Sequence, residues 1–242
     1  MRIGRPTIWP EYEKIQQAQP TEIIQNLDGT LYAILFNANE CRHSYDMQET
    51  YYALLHAGIS DSDIAVLEGD GKTQNRFVDA PATAKNLESE IDKIRKKADS
   101  NDRLLVYVTN HGKLINGQCN FDTYDGVVWE NDFEKMAQDI PVNFGVFYFA
   151  QCHSGGFAER MGYGKNIGMS STNREKTSQG RQNGIGAYFT YRLFDSIMVP
   201  DMTIENAFDS TIDTGIDTSE RTFWKYNFKT GMFLQSSASK NI

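Results

Sequence analysis

GVFYFAQCHSGGF, residues 145–157, decides the reading of this chain: an unbroken apolar run stops at Gln151 and Cys152 and gives way to a histidine and a glycine-rich stretch. A short continuous apolar run fits a strand buried on both faces, as in a parallel sheet covered by helices on each side. In open α/β sheets ligands gather at the carboxyl ends of the strands, so a thiol placed there stands where chemistry is usually done.

Working outward, the same kind of run recurs at LYAILF (31–36), IAVLE (64–68) and RLLVYVT (103–109), and more weakly at NIGMSST (166–172). Between them lie helical patterns. SYDMQETYYALLHAG (44–58) has Ser44 as a candidate N-cap and Gly58 as its stop, and ATAKNLESEIDKIRKKA (82–98) spaces Leu87, Ile91, Ile94 and Ala98 along one face. NDFEKMAQDI (131–140), GIGAYFTYRLFDSIM (184–198) and TIENAFDSTI (203–212) also read as helices. Strands alternating with helices predict an α/β sandwich with a mostly parallel sheet. Residues 1–28, interrupted by Pro6, Pro10 and Pro20, read as an extended lead-in, and 29–242 as a single domain. The polar stretch NREKTSQGRQN (173–183) reads as a loop long enough to line a groove.

The formal net charge of -8 argues against nucleic acid as a partner, because phosphate binding needs a basic face. The basic run at 93–98 lies beside ESEID and reads as a solvated helix face. No apolar run has the length of a signal peptide or a membrane span, which predicts a soluble chain, cytoplasmic if Met1 is the native start. Three cysteines, Cys41, Cys119 and Cys152, are odd in number and irregular in spacing, so neither a disulfide framework nor a zinc-ribbon pattern is expected.

Three strand ends carry polar residues of chemical interest: NANECRH after the first strand, NHGKLING after the third and QCHSGGF after the fourth. In a parallel sheet these ends share one edge, so Asn37, Asn39, Arg42, His111, Gly112 and Cys152 are brought together although distant in sequence. Cysteine attacks as a thiolate, and a nearby histidine favours that form and later protonates a leaving amine. An oxyanion needs preorganised donors; Gly112 offers an unobstructed backbone N–H, and the Cys152 amide a second. No cofactor is called for.

In the order and spacing of these stretches the chain resembles the caspase-like cysteine peptidases, and within them the legumain family. VYVTNHG (106–112) is followed by FYFAQCHSG (147–155), with 41 residues from His111 to Cys152, and the likeness runs over about residues 31–198. The resemblance implies a caspase-like three-layer α/β/α fold and an endopeptidase that cleaves after Asn or Asp. It makes Cys152 the nucleophile, His111 the general acid and base, and Gly112 part of the oxyanion hole, with Asn37 or Asn39 orienting the histidine. Arg42 and His43 match the basic pair of the primary specificity pocket. Ala150 and Ala187 stand where the family has acids, so the pocket keeps its cation and loses its anions. Gln151 and Ser171, with Lys176 and Thr177 of the polar loop, complete the expected substrate-binding set. A peptide or protein is the implied partner.

The same acyl-enzyme serves a ligase or transamidase if an amine replaces water, and the same groove serves a non-catalytic binding domain. A zymogen cut at Asn173 or Asn183 is compatible with the loop. A metal module built on Cys41, His43, His111, Cys152 and His153 is the rival from another class; its spacings are not those of common zinc sites. No metal is expected.

Overall fold

The computed structural model describes residues 29–38, 43–72, 76–178 and 190, and the backbone of Arg221–Asn227 and Met232–Ala238. Asn39, Cys41, Arg42, Ala187, the lead-in before residue 29 and the helical patterns expected over 184–198 and 203–212 lie outside the described residues, apart from Thr190.

The first strand shows why the layers form. In β1 (Leu31–Asn37) successive side chains point to opposite faces, and both faces are apolar. Tyr32, Ile34 and Phe36 join one core, whereas Ala33 and Leu35 join another. The helix α1 (Ser44–His56) covers the second core with Met47, Tyr51 and Leu54. After β2 (Ile64–Glu68), helix α2 (Ala84–Lys97) covers the first with Leu87, Ile91 and Ile94. Two cores on one sheet make a three-layer α/β/α sandwich.

The strands β3 (Arg103–Val108), β7 (Phe144–Phe149) and β8 (Ile167–Ser170) complete the parallel part of the sheet. Its order is β2-β1-β3-β7-β8, with every neighbouring pair parallel. Beyond β8 the sheet continues through β9 (Arg221–Asn227) and β10 (Met232–Ala238), both antiparallel to their predecessors. The last stretch of the chain thus packs on the domain by extending its sheet. Because β2 and β3 lie on opposite sides of β1, strand order reverses between β1 and β3, and the carboxyl ends at such a reversal are where open α/β sheets take their ligands.

Local chemistry accounts for the element ends. Thr83 caps α2 by accepting the Asn86 N–H at 3.1 Å, and Arg95, Lys96 and Lys97 fill its last turn, where cations suit the helix dipole. At the end of α1, Gly58 N–H reaches Leu55 O and Ile59 N–H reaches Leu54 O, the two bonds of a Schellman motif. At its start the expected Ser44 cap is displaced by one residue: His43 occupies the cap position and makes no side-chain cap bond, because its ring is engaged elsewhere.

Residues 112–129 fold as a separate three-stranded antiparallel sheet: β4 (Gly112–Ile115), β5 (Gln118–Thr123) and β6 (Gly126–Trp129). Asn116 and Gly117 turn β4 into β5 with φ of 51° and 79°, as a two-residue hairpin demands. Helix α3 (Glu130–Met136) follows, ending earlier than its sequence pattern suggests, and α4 (Gly155–Met161) rises directly after Cys152. Phe121, Phe133, Phe149 and Phe157 bring β5, α3, β7 and α4 together, with Phe149 and Phe157 ring centroids 5.0 Å apart.

Candidate active site

Strand register sets the site. Phe36, Val108, Phe149 and Ser170 are paired across β1, β3, β7 and β8, so their successors Asn37, Thr109, Ala150 and Ser171 share one row at the carboxyl edge. His111 and Cys152 each stand three residues past paired Val108 and Phe149. The backbones meet there. A β-carbon on Gly112 would lie 2.3 Å from Cys152 O, 2.8 Å from Gln151 Cγ and 2.9 Å from Asn120 O, so only glycine lets the two strand ends touch. Asn110 steadies the approach: its Oδ1 accepts the His111 N–H at 2.8 Å, and its amide donates to Asp122 O.

Around Cys152 the polar loop closes in. The Ser178 N–H donates to Cys152 Sγ at 3.3 Å, and the thiol lies 3.9 Å from Ser178 O. His153, at a left-handed φ of 57°, donates its backbone N–H to Lys176 O, and its Nδ1 pairs with Arg174 O, both at 2.9 Å. That bond to a carbonyl requires the proton on Nδ1. Lys176 and Thr177 are exposed. Ser171 is buried, and its hydroxyl donates to Gln151 O at 3.4 Å. Ala150 and Gln151 are buried as well.

The loop is anchored from below. Arg174 holds the buried Glu130 carboxylate with two bonds, Nη1 to Oε1 at 2.8 Å and Nη2 to Oε2 at 2.9 Å. This pairing raises the Arg174 pKa further, so the guanidinium is always charged. The pair lies against α4, where a β-carbon on Gly156 would stand 2.2 Å from Glu130 Oε2. Cys119 sits beside it, and burial, followed by the Glu130 charge, pushes its thiol up to about 11. Cys119 therefore stays a thiol at neutral pH, whereas Cys152 is half-buried at the sheet edge.

Behind His111 lies a buried polar triangle. Thr109 Oγ1 is 3.0 Å from His43 Nδ1 and 3.1 Å from Asp46 Oδ2, and His43 Nδ1 is 3.3 Å from the same carboxylate oxygen. All three residues are buried. The rings of His43 and His111 meet nearly perpendicularly with centroids 5.8 Å apart. Burial, and after it the Asp46 charge, pushes the neighbouring Tyr107 phenol well above its ordinary value.

The carboxyl edge thus gathers Asn37, His43, His111, Gly112, Ala150, Gln151, Cys152 and Ser171, with Lys176 and Thr177 in the covering loop. Asn37 donates its amide to Glu68 Oε1 at 3.1 Å, a buried bond between the ends of β1 and β2. Sequence reasoning missed the Thr109–Asp46 pair, the Glu130–Arg174 clamp and the Ser178 amide. None has a pattern of its own: each depends on a contact between segments far apart in the chain. Among the described residues no three His, Cys, Asp or Glu side chains are grouped as a metal ion would require, and no helix is long and apolar enough to cross a membrane.

No family model and no curated protein matches the sequence. Among solved structures the chain is similar to protein GSU0716 from Geobacter sulfurreducens, at 11% identity and a TM-score of 0.61, covering 88% of this chain and 95% of that one. The likeness is one of fold: a three-layer α/β/α sandwich around a mostly parallel sheet.

Proposed function

We propose that the chain is a caspase-like cysteine endopeptidase of the legumain type, acting through Cys152 and His111. The observation that carries this reading is the backbone contact of Gly112 with Cys152, which brings a His-Gly strand end against a cysteine strand end. A substrate peptide lies along the carboxyl edge. The Cys152 thiolate attacks the carbonyl carbon of the P1 residue, and the amides of Gly112 and Cys152 receive the oxyanion. As the tetrahedral intermediate collapses, His111 gives a proton to the departing amine. Water, activated by the now neutral imidazole, hydrolyses the thioester and frees the thiol; an amine in its place gives ligation.

Cleavage after Asn or Asp follows from the legumain likeness and from Arg42, whose planar fork of donors suits an acceptor or anion. The Ser178 contacts on Cys152 Sγ favour a resting form in which the loop covers the thiol, so substrate must displace residues 176–178 to reach it.

The test is a fluorogenic peptide set that varies only P1 among Asn, Asp, Gln, Arg, Lys and Ala. The expected result is turnover after Asn or Asp that vanishes in Cys152→Ala and weakens in Arg42→Ala. Cleavage confined to Arg or Lys would overturn the specificity, and Cys152-independent turnover the mechanism.

A further inference from the structure

The geometry points to His43 as a positioning residue: anchored by Asp46 and Thr109, it fixes the ring of His111 from behind instead of meeting substrate in the specificity pocket. This inference rests on the peptidase reading above and names how its acid–base residue is held.

Proton counting fixes the state of His43. The Thr109 hydroxyl, which also meets the Tyr107 phenol, has one hydrogen and donates it to Asp46 Oδ2 at 3.1 Å, so it acts as acceptor toward His43 Nδ1 at 3.0 Å. The alternative, a bare Nδ1, would set its lone pair against a carboxylate oxygen 3.3 Å away in a buried site. His43 therefore carries its proton on Nδ1, shared between hydroxyl and carboxylate. Its ring then has no freedom to flip, since a flip would forfeit both partners.

That locked ring lies at 5.8 Å from the His111 ring, at an interplanar angle of 80°. His43 is only 4% exposed, which leaves little surface for a substrate side chain, and its Nε2 has no partner among the described residues. Thr109 is two residues from His111 on the same strand end, and its backbone N–H is held by Phe36 O at 3.0 Å. The triangle is thus built into the β1–β3 edge of the sheet, while His111 itself is exposed. The His43 ring thus borders the imidazole that must be aimed, and a misplaced base costs rate far more than binding.

The experiment joins two readouts on wild type, His43→Gln, Thr109→Val and Thr109→Ser. Long-range proton–nitrogen spectra of the histidine rings report tautomer and ordering, and steady-state kinetics on Asn and Asp peptides separate kcat from KM. Wild type is expected to show His43 in the Nδ1–H form and one ordered form of His111. In His43→Gln and Thr109→Val the His111 signals broaden and kcat falls about tenfold or more, with KM and the Asn-to-Asp ratio unchanged; Thr109→Ser retains both wild-type properties. A wild-type His43 in the Nε2–H form would overturn the inference, as would an unchanged His111 spectrum in folded His43→Gln. A changed Asn-to-Asp ratio with kcat held would return His43 to the pocket. If wild type shows no Cys152-dependent turnover, the peptidase reading fails, and the spectra still decide whether His43 sets the His111 ring.

Discussion

At the scale of single residues, the two described thiols are expected to behave oppositely. Cys119 is fully buried with its pKa near 11, so about one molecule in ten thousand is thiolate at pH 7, and iodoacetamide should leave it unmodified in the folded protein. Cys152 should be carbamidomethylated, as peptide mapping by mass spectrometry would show; labelling of Cys119 first would contradict this. The Cys119 shift also has a consequence for stability. The unfolded thiol ionises near 9.0 and the folded one near 11, so above pH 9 the unfolded state holds fewer protons and stability falls as pH rises across that window. Gly112 is the most constrained position. Gly112→Ala sets a methyl 2.3 Å from Cys152 O, and the forced shift should cost about 1–3 kcal/mol by urea unfolding and reduce kcat on the order of a hundredfold. Both His111-Gly112 and Cys152 were visible in the sequence because each follows an apolar run; the reason Gly112 must be glycine was not, since Asn120 reaches it from β5 and Gln151 from the bend after β7.

At the scale of elements, the loop over Cys152 depends on the Glu130–Arg174 clamp. Arg174→Ala leaves a buried carboxylate whose remaining partners are the Cys119 N–H, 3.2 Å from Oε1, and Arg160, with Nε 3.6 Å from Oε2. The expected loss is on the order of 2 kcal/mol in a urea melt, with faster proteolysis at residues 173–178, where unanchored loop backbone is cut first. An unaltered melt and cleavage pattern would remove the clamp from the account. Phe157 holds α4 on the aromatic core, with Phe121 at 5.2 Å and Phe149 at 5.0 Å between ring centroids. Phe157→Ala should cost about 3–5 kcal/mol. The central elements were legible because their patterns differ: an unbroken apolar run in β1, i, i+4, i+7 spacing in α2. The β4–β6 sheet was readable only through Asn116-Gly117, a hairpin signal overshadowed by the His-Gly pair before it. Helix α4 was hidden because two glycines open it, residues that argue against a helix unless close packing demands them.

At the scale of the molecule, alternating strands and helices dictated the three layers, and the reversal of strand order lies between β1 and β3, at the carboxyl edge that also carries His111 and Cys152. Partner strands for the last 22 residues were not readable, because an antiparallel extension is specified by the edge it joins and not by its own pattern. The central claim is that Cys152 and His111 act as one unit at that edge. Its most direct measurement is covalent labelling by a peptidyl acyloxymethyl ketone with P1 Asn, from which the thiolate displaces a carboxylate to leave a stable thioether, followed by intact and peptide mass. The expected result is one equivalent on Cys152, none in Cys152→Ala, and a rate about a hundredfold lower in His111→Ala. Labelling of Cys152 at an equal rate with and without His111 would contradict it.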